Sequence, residues 1–203
     1  ISAKQASPAA GLLDSALATL GVRCDLDRQH QAQVPGSGPL VVVANHPFGG
    51  VEGMALAQAL RQRRPDLRIL ANHLLGRIPE LDPLMIHVNP FAGGAAARQN
   101  HAPLRQALAW LRDGGALLVF PAGTVSHLHL RARAVIDPPW QPTVSWLARR
   151  SRAAVLPVFV AGRNSAGFQL AGVVSPHLRT ALLVRELLRS RQASGTAAHD
   201  GDA

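Results

Sequence analysis

The sequence predicts an α/β protein with a mostly parallel central sheet flanked by helices. Three observations predict it. Short runs rich in Val, Leu and Ile alternate along the chain with longer segments of helical periodicity. Gly, Pro or Asn punctuates the junctions between them. With 203 residues and 47% apolar content, the chain is long enough to bury a core and fits one domain over 1–203.

The elements follow in order. Residues 9–20 set Leu12, Leu13, Leu17 and Leu20 on adjoining turns with Asp14 on the other side. Such a face either docks on the core or lies in a lipid interface. "VPGSG" (34–38) is a turn before the first strand, "PLVVVAN" (39–45), and "VEGMALAQALRQRR" (51–64) is a helix. "LRILA" (67–71) and "MIHVN" (85–89) are strands, and "NPFAGGAAARQN" (89–100) reads as a long Gly/Ala-rich loop of the kind that forms lids. "APLRQALAWLRD" (102–113) places Leu104, Leu108 and Leu111 at helical spacing, and "DGG" at 113–115 stops the helix. "ALLVF" (116–120) is a strand, "PTVSWLARR" (142–150) a helix and "AVLPVFV" (154–160) the last strand; all five strands read as buried. "HLRTALLVRELLRSR" (177–191) is a helix with basic ends and the same choice between core and lipid. The small, polar residues 192–203 read as a disordered tail.

The net charge of +9 rests on arginine, Lys4 being the single lysine. Arginines at 61–64, 149–152 and 185–191 would attract polyanions, whether nucleic acid, an acidic carrier protein or an anionic membrane. Nucleic acid is the weakest of these, because Tyr is absent and aromatic residues are 4% of the chain. Cys24 stands alone, which excludes an internal disulfide. No signal peptide is expected, and no apolar run reaches the roughly eighteen residues of a membrane span. His73, His87, His101, His127 and His129 show no ligand spacing with Cys or carboxylates, so no metal is expected.

The informative junction is "VVVANHPFGGVEG" (41–53). Loops leaving the carboxyl ends of parallel strands form the binding crevice of an open α/β sheet. His46 and Asn45 stand in such a loop, Pro47 stiffens its exit, and Gly49 and Gly50 permit positive φ before the helix. Imidazole is the side chain suited to taking and returning a proton near neutral pH. A carboxylate on its other nitrogen fixes the tautomer and stabilises the imidazolium, a role Glu52 can fill across the glycine turn. A helix-terminal acid and a satisfied loop histidine are the plain alternatives. Residues 120–126 also leave a strand, so a parallel sheet brings them to the same edge, where Gly123, Thr124 and Ser126 could donate to an anion.

"NHPFGGVEG", "FPAGTVS" (120–126) and "AVLPVFVAGRNS" (154–165) together resemble the glycerolipid acyltransferase family. The likeness is to its lysophosphatidic-acid-acyltransferase-like group, and within it the bacterial branch labelled hemolysin or linked to ornithine lipids. It spans about residues 20–190. The resemblance implies His46 as base and Glu52 as its orienting acid. It further implies Asn45, Phe48, Gly49, Gly50, Phe120, Pro121, Gly123, Thr124, Ser126, Pro157, Arg163 and Asn164 as substrate-binding positions. The chain departs from the family pattern by a longer His-to-acid spacing, by Glu52 in place of Asp, and by Ala122 and Val125 in place of a Glu and an Arg of the second block. No Arg stands in "LMIHVNPF" (84–91), where the family carries one.

These features imply transfer of a fatty acyl group from an acyl-carrier-protein or coenzyme A thioester, the only cofactor-like molecule expected. The acceptor would be a lysolipid hydroxyl, on lysophospholipid, lysophosphatidic acid or lyso-ornithine lipid. The setting implied is the cytoplasmic face of an anionic membrane, bound peripherally. Two rivals stand beside this reading. One is a non-catalytic lipid- or membrane-binding module with a decayed site. The other is a serine hydrolase using Ser126 or Ser165, neither of which stands in G-x-S-x-G.

Overall fold

The computed structural model describes residues 8–22, 24, 28–72, 79–89, 94–174, 182 and 186. Among them, β1 (Leu40–Ala44), β2 (Arg68–Asn72), β3 (Met85–Val88), β4 (Ala116–Val119) and β7 (Ala154–Val158) form one sheet. Its order is β3-β2-β4-β1-β7, and every pairing in it is parallel. β5 (His127–His129) and β6 (Ala134–Ile136) form a separate antiparallel hairpin. The helices are α1 (Pro8–Leu20), α2 (Arg28–Gln33), α3 (Val51–Arg61), α4 (Gly94–Arg112), α5 (Thr143–Ser151) and α6 (Ala166–Val174), with a 3-10 segment at Pro79–Leu84 before β3.

β1 is apolar at every position because both faces of the sheet are covered. Leu40, Val42 and Ala44 join Ile69, Ala71 and Leu118 under α1 and α3, while Val41 and Val43 join Leu117 and Val119 under Ala107 and Leu111 of α4 and Leu147 of α5. Leu13 and Leu17 are buried and α1 packs on α3, so α1 docks on the core. Asp14 flanks the same interface and accepts a 2.6 Å bond from Gln58 Nε2 of α3. Among the described residues no helix is long and apolar enough to cross a membrane.

At the amino ends of the strands, Arg64 is buried and bonds Asp66 through Nε (2.9 Å) and Nη2 (2.8 Å). Its nitrogens also donate to the carbonyls of Gly38 (2.9 Å), Gly114 (2.8 Å) and Pro35 (3.3 Å), and Asp66 accepts from Ala116 N at 3.1 Å. The pair ties the starts of β1 and β4 together. Bonding to Arg64 outweighs burial and holds the Asp66 carboxyl below its ordinary pKa. Arg61 and Arg63 bond the carbonyls of Leu67 and Val34. The arginines at 61–64 therefore serve the fold, and Arg64 is closed to any partner.

Three expectations change. Residues 94–100 are not loop: α4 begins at Gly94 and runs through Pro103. The Ala95–Ala97 run favours helix, whereas Pro103 and the glycines suggest a break. Asn100 of α4 instead ties down the end of β3, its side-chain amide bonding the N–H (2.7 Å) and carbonyl (2.8 Å) of Asn89. β7 is not buried but an edge strand, with Val155 and Pro157 exposed, because among the described residues no helix covers that side. An edge also accommodates Pro157, whose missing N–H costs no ladder bond there. Finally, the hairpin and α6 carry no strong periodic signal and were not expected. The helix expected at 177–191 and the tail at 192–203 lie outside the described residues, apart from Leu182 and Glu186.

Candidate active site

β1 and β4 are adjacent and parallel, with Val43 in register with Val119. Beyond β1 the chain turns into α3 on one face, while α4, which leads into β4, packs on the other. A crevice therefore opens at their carboxyl ends, and it receives residues 45–52 and 120–126.

The first loop is shaped around Glu52. Gly49 and Gly50 take φ of 82° and 155°, values that L side chains rarely adopt, and this curls three backbone N–H groups inward. Phe48 N (2.9 Å) and Gly49 N (3.1 Å) donate to Glu52 Oε1, and Gly50 N (2.9 Å) donates to Oε2. His46 Nδ1 lies 2.9 Å from Oε1, with the carboxylate 2% exposed and the imidazole 17% exposed. The contact is close but lies off the axis of a well-formed ring N–H bond, since buried Nδ1 has no aligned partner. It is a close contact that a small ring rotation can align, a common condition of unliganded sites. Burial raises the Glu52 pKa, but the bond and charge of His46, with the N–H groups of Gly50 and Phe48, outweigh it and hold the carboxyl below 4.5. A carboxylate facing Nδ1 favours the tautomer that donates from that nitrogen, which leaves Nε2 as the accepting nitrogen of the ring.

The second loop supports the first. The Phe120 ring lies 4.4 Å from the imidazole, centroid to centroid, tilted 32°. It also fills the space beside Gly53, where a Cβ would come within 3.3 Å of the ring. Ser126 N donates to the His46 carbonyl at 2.8 Å, and Ser126 Oγ donates to Asp137 Oδ1. The same Oδ1 accepts His46 N at 3.2 Å, and Asp137 Oδ2 accepts Trp140 Nε1 at 3.0 Å. Asp137 follows β6, so the hairpin is fastened to the His46 loop by one carboxylate. Sequence reading missed Asp137; the acid just before "PPW" (138–140) is the only signal, and nothing links it to His46 without the fold.

The remaining candidates divide. Asn45 is locked to the chain after β7, with Nδ2 donating to Val160 O (2.9 Å) and Oδ1 accepting Val160 N (2.7 Å). Asn164, buried, donates to Pro47 O at 3.2 Å. Phe48 lies over Gly162, where a Cβ would be 2.5 Å from the ring. Gly123 takes φ 68° and its N–H closes a turn on Phe120 O at 3.0 Å. Pro121 is buried and Thr124 half-buried in that turn. The donors expected to reach substrate from Gly123 and Ser126 are thus engaged within the protein. Pro157 and Arg163 are exposed beyond this cluster. Ala122 and Val125 are buried and apolar, so the second loop presents no charge at the two departing positions. Ser165 Oγ bonds Glu186 at 2.7 Å. Among the described residues neither the Ser126 nor the Ser165 hydroxyl is bonded to a histidine ring, so the activated serine of a hydrolase is not assembled there.

An imidazole backed by a buried carboxylate at the carboxyl edge of a parallel sheet, with no nucleophilic side chain bonded to it among the described residues, is an arrangement able to act as a general base toward a hydroxyl. Comparison with known proteins places the chain in a family. The chain belongs to the acyltransferase family, of the glycerolipid type: the profile described as "Acyltransferase" matches residues 6–188. A lyso-glycine lipid O-acyltransferase of Bacteroides thetaiotaomicron is 31% identical over 134 residues, 65% of this chain and 46% of that protein. A protein of the same name from Phocaeicola vulgatus is 27% identical over 170 residues, 80% of this chain and 58% of that protein. The chain spans about half the length of the curated relatives it matches.

Proposed function

We propose that the protein is an O-acyltransferase that moves a fatty acyl group from a thioester to the hydroxyl of a single-chain lipid. The observation that carries this reading is the His46–Glu52 pair at 2.9 Å, with the carboxylate held by three backbone N–H groups. His46 Nε2 takes the proton of the acceptor hydroxyl as its oxygen attacks the thioester carbonyl. Glu52 stabilises the imidazolium that forms. The tetrahedral intermediate collapses with cleavage of the C–S bond, and the thiolate leaves with the proton returned from Nε2. No covalent acyl-enzyme is required, and the thioester of acyl carrier protein or coenzyme A is the co-substrate.

The acceptor is a lysolipid without a phosphomonoester. Ala122 and Val125, apolar and buried, support this, because the second loop offers no charge there for such a phosphate. The names of the two relatives favour an amino-acid-bearing lysolipid over lysophosphatidic acid. The protein works at the cytoplasmic face of a membrane. Glu52 also serves the fold by accepting three backbone N–H groups at the start of α3; its further contact with the His46 ring at 2.9 Å is what favours catalysis over a decayed binding module.

The test is product identification by mass spectrometry. The purified protein is given both thioesters and a panel of lyso-glycine lipid, lyso-ornithine lipid, lysophosphatidylcholine and lysophosphatidic acid. A two-chain amino-acid lipid as the main product is expected. Exclusive acylation of lysophosphatidic acid would overturn the acceptor assignment, and no product from folded protein would overturn the activity.

A further inference from the structure

We propose that the tip of the β5–β6 hairpin is a docking surface for an anionic lipid bilayer. This rests on the membrane-lipid acceptor proposed above. The hairpin stands apart from the main sheet. Its turn exposes Leu130 (65%) with Arg131 and Arg133, and beyond it Ile136 (43%) and Trp140 (50%) are exposed. Among the described residues neither arginine forms a salt bridge. Arg133 takes φ 50°, which tightens the turn that presents them.

Exposed large apolar side chains clustered with unpaired cations mark an interaction surface. Leu inserted at the head-group boundary, Trp at the interface and Arg on phosphates is the combination that an anionic bilayer favours. An acidic protein would engage the arginines without requiring Leu130 to leave water. The base of the hairpin is Ser126 and Asp137, bonded to each other and to the backbone of His46. A bilayer held at the tip is therefore held in fixed relation to the catalytic loop, and the acceptor enters from the surface on which the protein sits.

The test is vesicle flotation of the full chain, with phosphatidylcholine alone and with about one third phosphatidylglycerol. Each arginine near an anionic surface contributes roughly fivefold to partitioning, so the pair contributes roughly 25-fold. The triple variant Leu130→Ser, Arg131→Ser, Arg133→Asn is expected to lose at least about tenfold of the binding to anionic vesicles, with its thermal midpoint unchanged. Asn suits the positive φ at that position. Leu130→Ser alone should lower binding several-fold. A control variant, Arg149→Ser with Arg150→Ser on α5, removes equal charge from another exposed site and should bind within about twofold of the wild type.

Failure of the wild type to float, a triple variant that floats as well as the wild type, or an equal loss in the control would each overturn the proposal. So would binding insensitive to Leu130→Ser, which would favour an acidic protein partner. Flotation needs no turnover, so these results stand apart from failure of the acyltransferase reading, which acyl transfer to a monomeric short-chain acceptor measures separately.

Discussion

Glu52→Gln isolates the electrostatic part of the site. Its two oxygens accept Phe48, Gly49 and Gly50 N–H groups and contact His46 Nδ1, so every neighbour presents a donor. Glutamine has one acceptor oxygen. Whichever way its amide turns, an NH2 faces either Gly50 N–H or the other three donors. The imidazolium formed in the transition state also loses its counter-charge. Unit charges about 4 Å apart at an effective dielectric near 20 interact by about 4 kcal/mol, and partial solvent access to the imidazole reduces this to roughly 2–4 kcal/mol. At 1.36 kcal/mol per decade, kcat should fall roughly 30- to 1000-fold with KM for the thioester little changed. Thiol release from the acyl donor measures this directly. The pH dependence of stability adds a second readout. The folded Glu52 pKa lies below 4.5, so the stability it contributes is present above that value and is lost as pH falls through the folded value. The variant should lack this acid limb, its difference from the wild type shrinking as pH falls through the folded Glu52 pKa. A folded Glu52→Gln protein that keeps kcat within threefold of the wild type would refute the reasoning.

Other expectations concern the supporting bonds. Asp137→Ala and Ser126→Ala should each lower kcat, Asp137→Ala by roughly ten- to hundredfold, with the double variant no worse than Asp137→Ala; a double-mutant cycle on kcat and on urea midpoints would expose additive effects that contradict a shared clamp. Arg64→Met leaves Asp66 and the carbonyls of Gly38 and Gly114 without their buried donor, so urea unfolding should show a loss of about 3–5 kcal/mol. Asn45→Ala removes both bonds to Val160 and should cost about 1–3 kcal/mol in the same assay.

Much of this was legible in the sequence. The β1 run is continuous because both faces are buried, and the junction after it announces itself by placing His46, two glycines and Glu52 together. What remained hidden is non-local. Asp137 reaches His46 across 91 positions, and the Asn45 clamp on Val160 across 115, so neither leaves a periodic or motif signal. Nor does spacing reveal that Arg64, within an apparently solvated basic run, is 1% exposed. The exposure of β7 depends on the order of strands in the sheet, which local patterning does not encode.

The central claim is that His46 is the base for acyl transfer to a lipid hydroxyl. The most direct measurement compares His46→Ala with the wild type in transfer of a labelled acyl chain from thioester to lyso-glycine lipid, both proteins being confirmed folded. The account predicts a two-chain product from the wild type and a fall of at least roughly 100-fold in the variant. A variant that forms the same product within tenfold of the wild-type rate would contradict it.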